Sequence, residues 1–491
     1  MRYRDFVQAQ KHNNPCLAGL NNFLFDTDSN RRPCRILRLD FSAASDTKRA
    51  EFQRVDPEGL HEHIYLNDEK GRRRIIIIED LRRDVIETLG SAYQIDPIFF
   101  ASHIHAPFRQ MDSQTPNLAC LPSRQRKQNF VNFHYHRAVE LKGDIENEDK
   151  LTRDMNVDRK IAVLLPTENI RVALVQHACS VMLCNDGGGH GWLGIILVDS
   201  PIVNDYLPVL YANKIKPDHE MTRRASRIDS KLFLNGYEDF LTPSSVPLHT
   251  DSMFSPPQLS RASLLDDLQY YWEREIPEQF DPLSPTLFAL SVYPLKIIAA
   301  EWNNYMAAMS YHIKRHEYAV EAANQAVTEL DKLNVELRSL QAWRRRSLAS
   351  QHKITSVKIF IQAAESSGNP VMEDATGLQE DYGYLAGTLD DLSRRLKNML
   401  PVVTSLVQIS DSRRSLTESA NVNRLTSLAI IFAPLSFTTG LFSMDTMNGP
   451  GGTHFWCLRA RPLEKDRYTI DTRCHTQAKN ARAAFTFERG E

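Results

Sequence analysis

The chain has 491 residues, of which 24% are charged; 59 Lys and Arg stand against 61 Asp and Glu, for a formal charge of -2. That length exceeds one ordinary domain, and the near-neutral balance excludes the broad positive field of a nucleic-acid-binding surface, so no nucleic-acid partner is expected. The seven cysteines are scattered without a Cys-x-x-Cys pair, which points to a reduced setting rather than a disulfide framework.

In chain order, residues 1–34 are polar, rich in Asn and Arg, and read as a peripheral or poorly ordered start; the first fifteen residues contain no apolar h-region of a secretory signal. Residues 35–240 mix short apolar runs with turns. Ile36–Leu39, Ile75–Ile78, Phe130–Phe133, Ile161–Leu165, Val172–Val175 and Leu193–Val198 read as strands of one mixed α/β domain, with Cys179 and Cys184 beside a buried strand. Within it, Arg83–Leu89 reads as a helix stopped by Gly90, and Asp96-Pro97 as the start of another.

Residues 241–258 have the Pro and Ser density of a linker, and residues 259–424 are helical in character. Leu259–Glu275 makes a first helix, ended by Pro277, Pro282 and Pro285. Apolar residues then recur at helical spacing from Thr286 to Ala364, a helix of more than about 100 Å if unbroken, which suits a stalk. Ser366–Thr376 reverses the chain, and a second long helix from Glu380 to Ser410 returns antiparallel and leads through Arg413–Arg424 into the next segment.

That segment, LTSLAIIFAPLSFTTGLFSM from Leu425 to Met444, carries no charge. As a helix it spans roughly 30 Å, the thickness of a bilayer's hydrocarbon core. Ala429, Ala433, Ser436, Gly440 and Ser443 recur at spacings of four, three, four and three, which puts small residues on one face. Such a face permits close helix packing or leaves room for an axial channel; the larger side chains point elsewhere, and Pro434 is tolerated where neighbouring helices absorb its lost bond. The competing reading is the core helix of a soluble protein.

Other polar clusters carry plainer readings. His134 and His136 share a probable strand face with no acidic or cysteine ligand beside them, and His103 and His105, with the same spacing just before Pro107, make no stronger metal candidate. The glycine-dense run Asn185–Gly191 lacks the Lys-Ser/Thr of a phosphate loop and reads as a strand connection. Arg344-Arg345-Arg346 reads as a solvated helix face or a subunit contact. Glu373, Asp374, Glu380, Asp381, Asp390 and Asp391 crowd the helical turn, either as a solvated acidic face or as oxygens for a hard divalent ion. No nucleophile–base or zincin pattern occurs, so no enzyme and no bound cofactor are expected.

Asn421–Asp445 resembles the CorA-like divalent-cation transporters, especially their divergent fungal branch, in its Asn-rich helix end, Leu425-Thr426 pair, mid-helix Pro434 and Gly440 before the membrane exit. The family's Gly-Met-Asn signature appears as Ser443-Met444-Asp445, different at two of three positions. A second likeness lies in Arg73–Ile104, which resembles the family's cytosolic strand–helix–His/Asp-Pro segment. The resemblance implies an α/β cytosolic domain, long antiparallel stalk helices and a C-terminal transmembrane helix. It also implies a homo-oligomer, as a pentamer, whose pore line includes Leu425, Ala433, Ser436 and Gly440, with Ser443, Met444 and a metal-attracting Asp445 at the mouth. The expected cargo is Mg2+ or another divalent cation, which also serves as a regulatory ion in such proteins, and the expected place is a membrane with the large N-terminal domain in the cytosol.

The end departs from that pattern, in which a second membrane helix follows the signature. Residues 445–456 look like the loop and the start of that helix, but residues 457–491 carry thirteen charged side chains and cannot span lipid. Two readings stay open: a conducting transporter, or a nonconducting single-span scaffold or regulatory subunit. The tail is equally compatible with a truncated paralogue and with a missed splice junction.

Overall fold

The computed structural model describes residues 2–26, 32–41, 50–65, 73–105, 127–142, 151–153, 155–157, 159–166, 171–185, 191–202, 205–208, 226–227, 229–241, 259–325, 330–365 and 373–443. The chain divides into two compact units, Met1–Leu406 and Val407–Glu491.

The first unit is built on a mixed sheet of β1 (Arg35–Phe41), β2 (Ala50–Val55), β3 (Arg73–Glu79), β4 (Phe130–Lys142), β5 (Leu151–Arg153), β6 (Lys160–Val163), β7 (Arg171–Asn185), β8 (Trp192–Val198), β9 (Asp205–Pro208), β10 (Ser226–Arg227) and β11 (Asp229–Leu232). β1 lies between antiparallel β2 and β3, and β3 runs parallel to β8, with Ile75 opposite Gly194 and Ile77 opposite Ile196. β7 is the axis of the sheet. One of its edges carries β4 from Phe130 opposite Met182 to Leu141 opposite Arg171; the other carries β6 at residues 173–175 and β8 at residues 179–185, end to end.

The expected strands are all present, but β4 and β7 extend far beyond the apolar runs that marked them, to 13 and 15 residues. Their polar remainder is buried by specific partners. Arg137 on β4, 1% exposed, donates from Nε to Glu301 Oε1 at 2.8 Å and from its Nη atoms to the carbonyls of Arg261 and Ala262. Burial holds the Glu301 carboxyl up despite the opposing pull of Arg137.

Both sheet faces are covered, which is why Ile75–Ile78 is continuously apolar rather than alternating. Ile76, Ile78, Ile195 and Leu197 pack among Val85, Ile86, Leu89, Phe99 and Phe100, from α4 (Arg83–Tyr93) and α5 (Pro97–Ile104). α1 (Tyr3–Lys11) and α2 (Ala18–Phe25) join that layer through Tyr3, Val7, Leu20 and Leu24; the short α3 (Leu60–Tyr65) adds Leu60. The polar start of the chain is therefore part of the core, which corrects the expectation of a peripheral segment. Asp96 caps α5 as expected, accepting from the Ile98 N–H at 2.9 Å.

Gly90 does not stop α4, again contrary to expectation. The helix runs on to Tyr93 and ends at Gln94, whose φ is +50°. Gly90 serves close approach instead: a Cβ there would meet the Tyr3 ring at 2.6 Å, and that tyrosine donates its hydroxyl to the Ile95 carbonyl at 2.7 Å.

The opposite face carries the helices. α6 (Leu264–Arg274) is capped by Ser263, and its Leu268, Tyr271 and Trp272 enter the second core with Leu37, Ile77 and Ile196. The single helix expected over Thr286–Ala364 is two, α7 (Leu287–Gln325) and α8 (Leu330–Glu365). They pair antiparallel: Glu336 bonds the His316 ring, Trp343 lies 6.0 Å edge-on to Tyr305, and Ser350 donates to the Tyr305 hydroxyl at 3.2 Å. Each helix is thus about 55 Å long rather than one of twice that. α9 (Glu373–Phe442), 70 residues, is the last helix of the chain's described residues. Its buried residues Ala375, Leu378, Tyr382, Leu385, Leu389, Leu392, Leu396, Leu400 and Val403 alternate by threes and fours, and the Tyr382 hydroxyl donates to Leu295 O at 3.1 Å. An α/β domain followed by long helices ending in an apolar helix is the expected fold class.

Candidate functional site: an exposed apolar helix end

Beyond Val403 no residue of α9 through Gly440 is buried. From Leu425 onward the exposed residues become apolar: Leu425 is 70% exposed, Ile430 67%, Ile431 63% and Phe437 70%. Among the described residues this is the helix long and apolar enough to cross a membrane, and its apolar stretch is not buried. A stretch this apolar is stable in water only if something covers it.

The hydroxyl side chains are adapted to an apolar surrounding. Thr426 donates to Val422 O at 2.8 Å, Ser427 to Asn423 O at 2.9 Å, Thr438 to Leu435 O at 2.8 Å, and Thr439 to the carbonyls of Leu435 and Ser436 at 3.0 Å. Each donor is satisfied within its own helix, so these residues need no water. The helix passes through Pro434 without a break.

The expected small-residue face exists geometrically. At about 100° per residue, Leu425, Ala429, Ala433, Ser436, Gly440 and Ser443 fall within an arc of roughly 80°. All are exposed, and a Cβ on Gly440 would meet nothing within 4 Å. Met444 and Asp445, two of the three signature positions, lie outside the described residues, as does the tail 457–491.

Because α9 is continuous, the same arc runs back in phase through Val422, Glu418, Ser415 and Asp411, all exposed. Sequence reasoning missed Asp411 and Glu418, since it ended the helix near Ser410; the helical phase of Ala429 counted backwards would have found them. Glu418 accepts from Arg414 Nε at 3.0 Å, an exposed i,i+4 pair worth little by itself.

The other clusters resolve plainly. No group of three or more His, Cys, Asp or Glu able to hold a metal occurs among the described residues. His103 Nδ1 pairs with Ser180 Oγ at 2.9 Å, and burial drives the ring down to about 3, so it is neutral. The acidic residues of α9 do not crowd one place: Glu380 and Asp391 are separated by about 16 Å of helix. Asp390 and Asp391 both pair with Arg394, at 2.8 and 3.5 Å, and burial raises the Asp381 carboxyl despite Lys296. The side chains of Glu373 and Asp374 and residues 186–190 of the glycine-dense run lie outside the described residues; the flanking strands pair antiparallel, Asn185 opposite Trp192. In the basic run, Arg344 and Arg345 are exposed and Arg346 stacks 5.3 Å from the Trp343 ring.

Residues 262–459 match the family model of the CorA-like Mg2+ transporter protein, a range that contains α6 to α9 and the whole apolar segment. The matched stretch is less than half of the chain. A solved structure described as that of the full-length CmaX protein aligns over 92% of this chain and 97% of that one, at 11% identity and a TM-score of 0.33. No curated protein matches the sequence.

Proposed function

We propose that this protein is a homo-oligomeric, pentameric membrane transporter of divalent cations, magnesium first among them, with the α/β domain in the cytosol. The observation that carries the reading is the coincidence of the family match over 262–459 with a helix that runs unbroken from the stalk into an exposed apolar stretch. Five copies of the small-residue arc would line an axial path past Leu425, Ala433, Ser436 and Gly440, narrowed at Leu425. Asp411 and Glu418, on the same arc nearer the stalk, would gather cations at one end of that path, and Ser443, Met444 and Asp445 would form the mouth at the other. A divalent ion that keeps its water shell needs such carboxylate rings for charge and hydroxyls or carbonyls for passage, without tight ligation.

The test is magnesium and nickel uptake into vesicles holding the purified full chain. Asp445→Asn and Glu418→Gln are each expected to lower uptake several-fold or change the preference between the two ions. Unchanged flux in both variants removes the carboxylate rings from the mechanism. A second reading, a nonconducting single-span scaffold or regulatory subunit, is favoured by the thirteen charges in residues 457–491. Absence of cation flux from a chain that inserts and oligomerises supports it, and sequencing the transcript across the codons for Trp456 and Cys457 shows whether an apolar second span replaces the charged tail.

A further inference from the structure

The two histidines of β4 face a cationic strip for which no counter-ion stands among the described residues. Period-two alternation puts Asn132, His134 and His136 on one side of the strand. The His136 ring is fixed by stacking on Tyr305 at 5.6 Å and by Trp302 at 6.0 Å, which leaves its Nδ1 buried and without a hydrogen-bond partner. Across from it, Arg346 and Lys353 stand two turns apart on α8, both half-buried and both within electrostatic reach of His136; Lys353 also acts on His134. His105 Nε2 is a further buried atom with no partner.

Among the described residues no carboxylate acts on Lys353, Arg346 or His105. The acid of the neighbourhood, Asp199, is already engaged: it accepts from Arg159 at 2.8 and 2.9 Å and from the Ala178 N–H at 2.7 Å. Burial, and then Arg159, hold the Lys353 ammonium down to about 8. Partly withdrawing cations and ring nitrogens from water without a counter-charge is unfavourable. A bound metal would add to the positive charge, whereas an oxyanion would relieve it and return protons to the imidazoles.

We propose that this strip is a binding site for a phosphate-class oxyanion, held by Lys353 and Arg346 from the helix and by His134 and His136 from the strand. Donors that arrive from two sides and carry at least two positive charges suit a dianion with several oxygens better than a flat carboxylate. The site lies in the α/β unit and does not rest on the transport reading.

Calorimetric titration of the purified full chain with inorganic phosphate, at ionic strength held constant with chloride, tests it. Wild type is expected to bind one phosphate per chain at submillimolar concentration. Lys353→Gln and His136→Phe should each weaken binding tenfold or more, and Lys353→Arg should largely keep it, with thermal melts confirming that all three fold. ATP in place of phosphate distinguishes a nucleotide-borne group from the free ion: tighter binding with the same variant pattern assigns the nucleotide, weaker binding the free ion. No binding of either, equal binding by wild type and the folded Gln and Phe variants, or binding of zinc in place of phosphate overturns the proposal.

Discussion

Replacing Gly90 with Ala should destabilise the protein although it puts the best helix former into a helix. The new Cβ would sit 2.6 Å from three carbons of the Tyr3 ring, a distance that forces the ring out of its slot. Displacing Tyr3 forfeits about 2–3 kcal/mol of apolar burial and about 1 kcal/mol for its bond to the Ile95 carbonyl. The gain of Ala over Gly returns about 0.5–1 kcal/mol, so the net cost is roughly 2–3.5 kcal/mol. In a Tyr3→Ala background the obstruction is gone, and the same Gly90→Ala change should stabilise by about 0.5–1 kcal/mol. Denaturant melts of the four chains, with hydrogen exchange on α1 as the local readout, complete the cycle. A Gly90→Ala cost of the same sign and size in both backgrounds would falsify the close-approach reading.

Three further outcomes are expected. Glu301→Gln leaves the buried Arg137 guanidinium without its counter-charge and should cost about 3–5 kcal/mol; a melting curve within about 1 kcal/mol of wild type refutes that pairing. Burial holds His103 near 3 and His105 near 4. Below the ordinary imidazole range the unfolded chain therefore binds more protons, and the stability present above about pH 6.5 should fall as pH drops toward 4. A melting temperature flat between pH 7 and 5 contradicts this. Leu428→Lys with Ile431→Lys, each costing about 2.5–3.5 kcal/mol at the centre of a membrane helix, should shift the chain from the carbonate-resistant membrane fraction to the soluble one. Retention of the double variant in the membrane pellet argues against this segment as the anchor.

The elements easiest to read in the sequence were those whose burial was complete. Ile75–Ile78 and Leu193–Val198 are apolar on both faces because helices cover both sides. β4 and β7 were legible only in part, because His134, His136 and Arg137 look like surface residues until α7 supplies Trp302, Tyr305 and Glu301. The start of the chain misled through its polar composition; Tyr3 and Val7 at i,i+4 and Leu17, Leu20 and Leu24 at i,i+3,i+7 held the helical signal. The separation of α7 and α8 left no mark in the apolar periodicity, since both helices line the same core and residues 326–329 include neither Gly nor Pro. The small-residue arc was readable directly. Its extension to Asp411 and Glu418 needed the continuity of α9, which phase alone did not establish.

Two strands meet one edge of β7 end to end, and between them residues 176–178 pair with neither. At that gap the Asp199 carboxylate takes the Ala178 N–H, while Arg159 clamps the carboxylate and reaches the carbonyls of His103 and His105. A side chain thus does the work of a missing ladder rung. The sheet is consequently two shorter fabrics seamed along one thread: β6, β5, β9 and β10 on one side of the gap, β8, β3, β1 and β2 on the other. A disturbance in either can fray to the seam and halt there. Amide exchange should accordingly proceed at separate rates on the two sides, with the slower rate belonging to the branch whose isoleucines are buried on both faces.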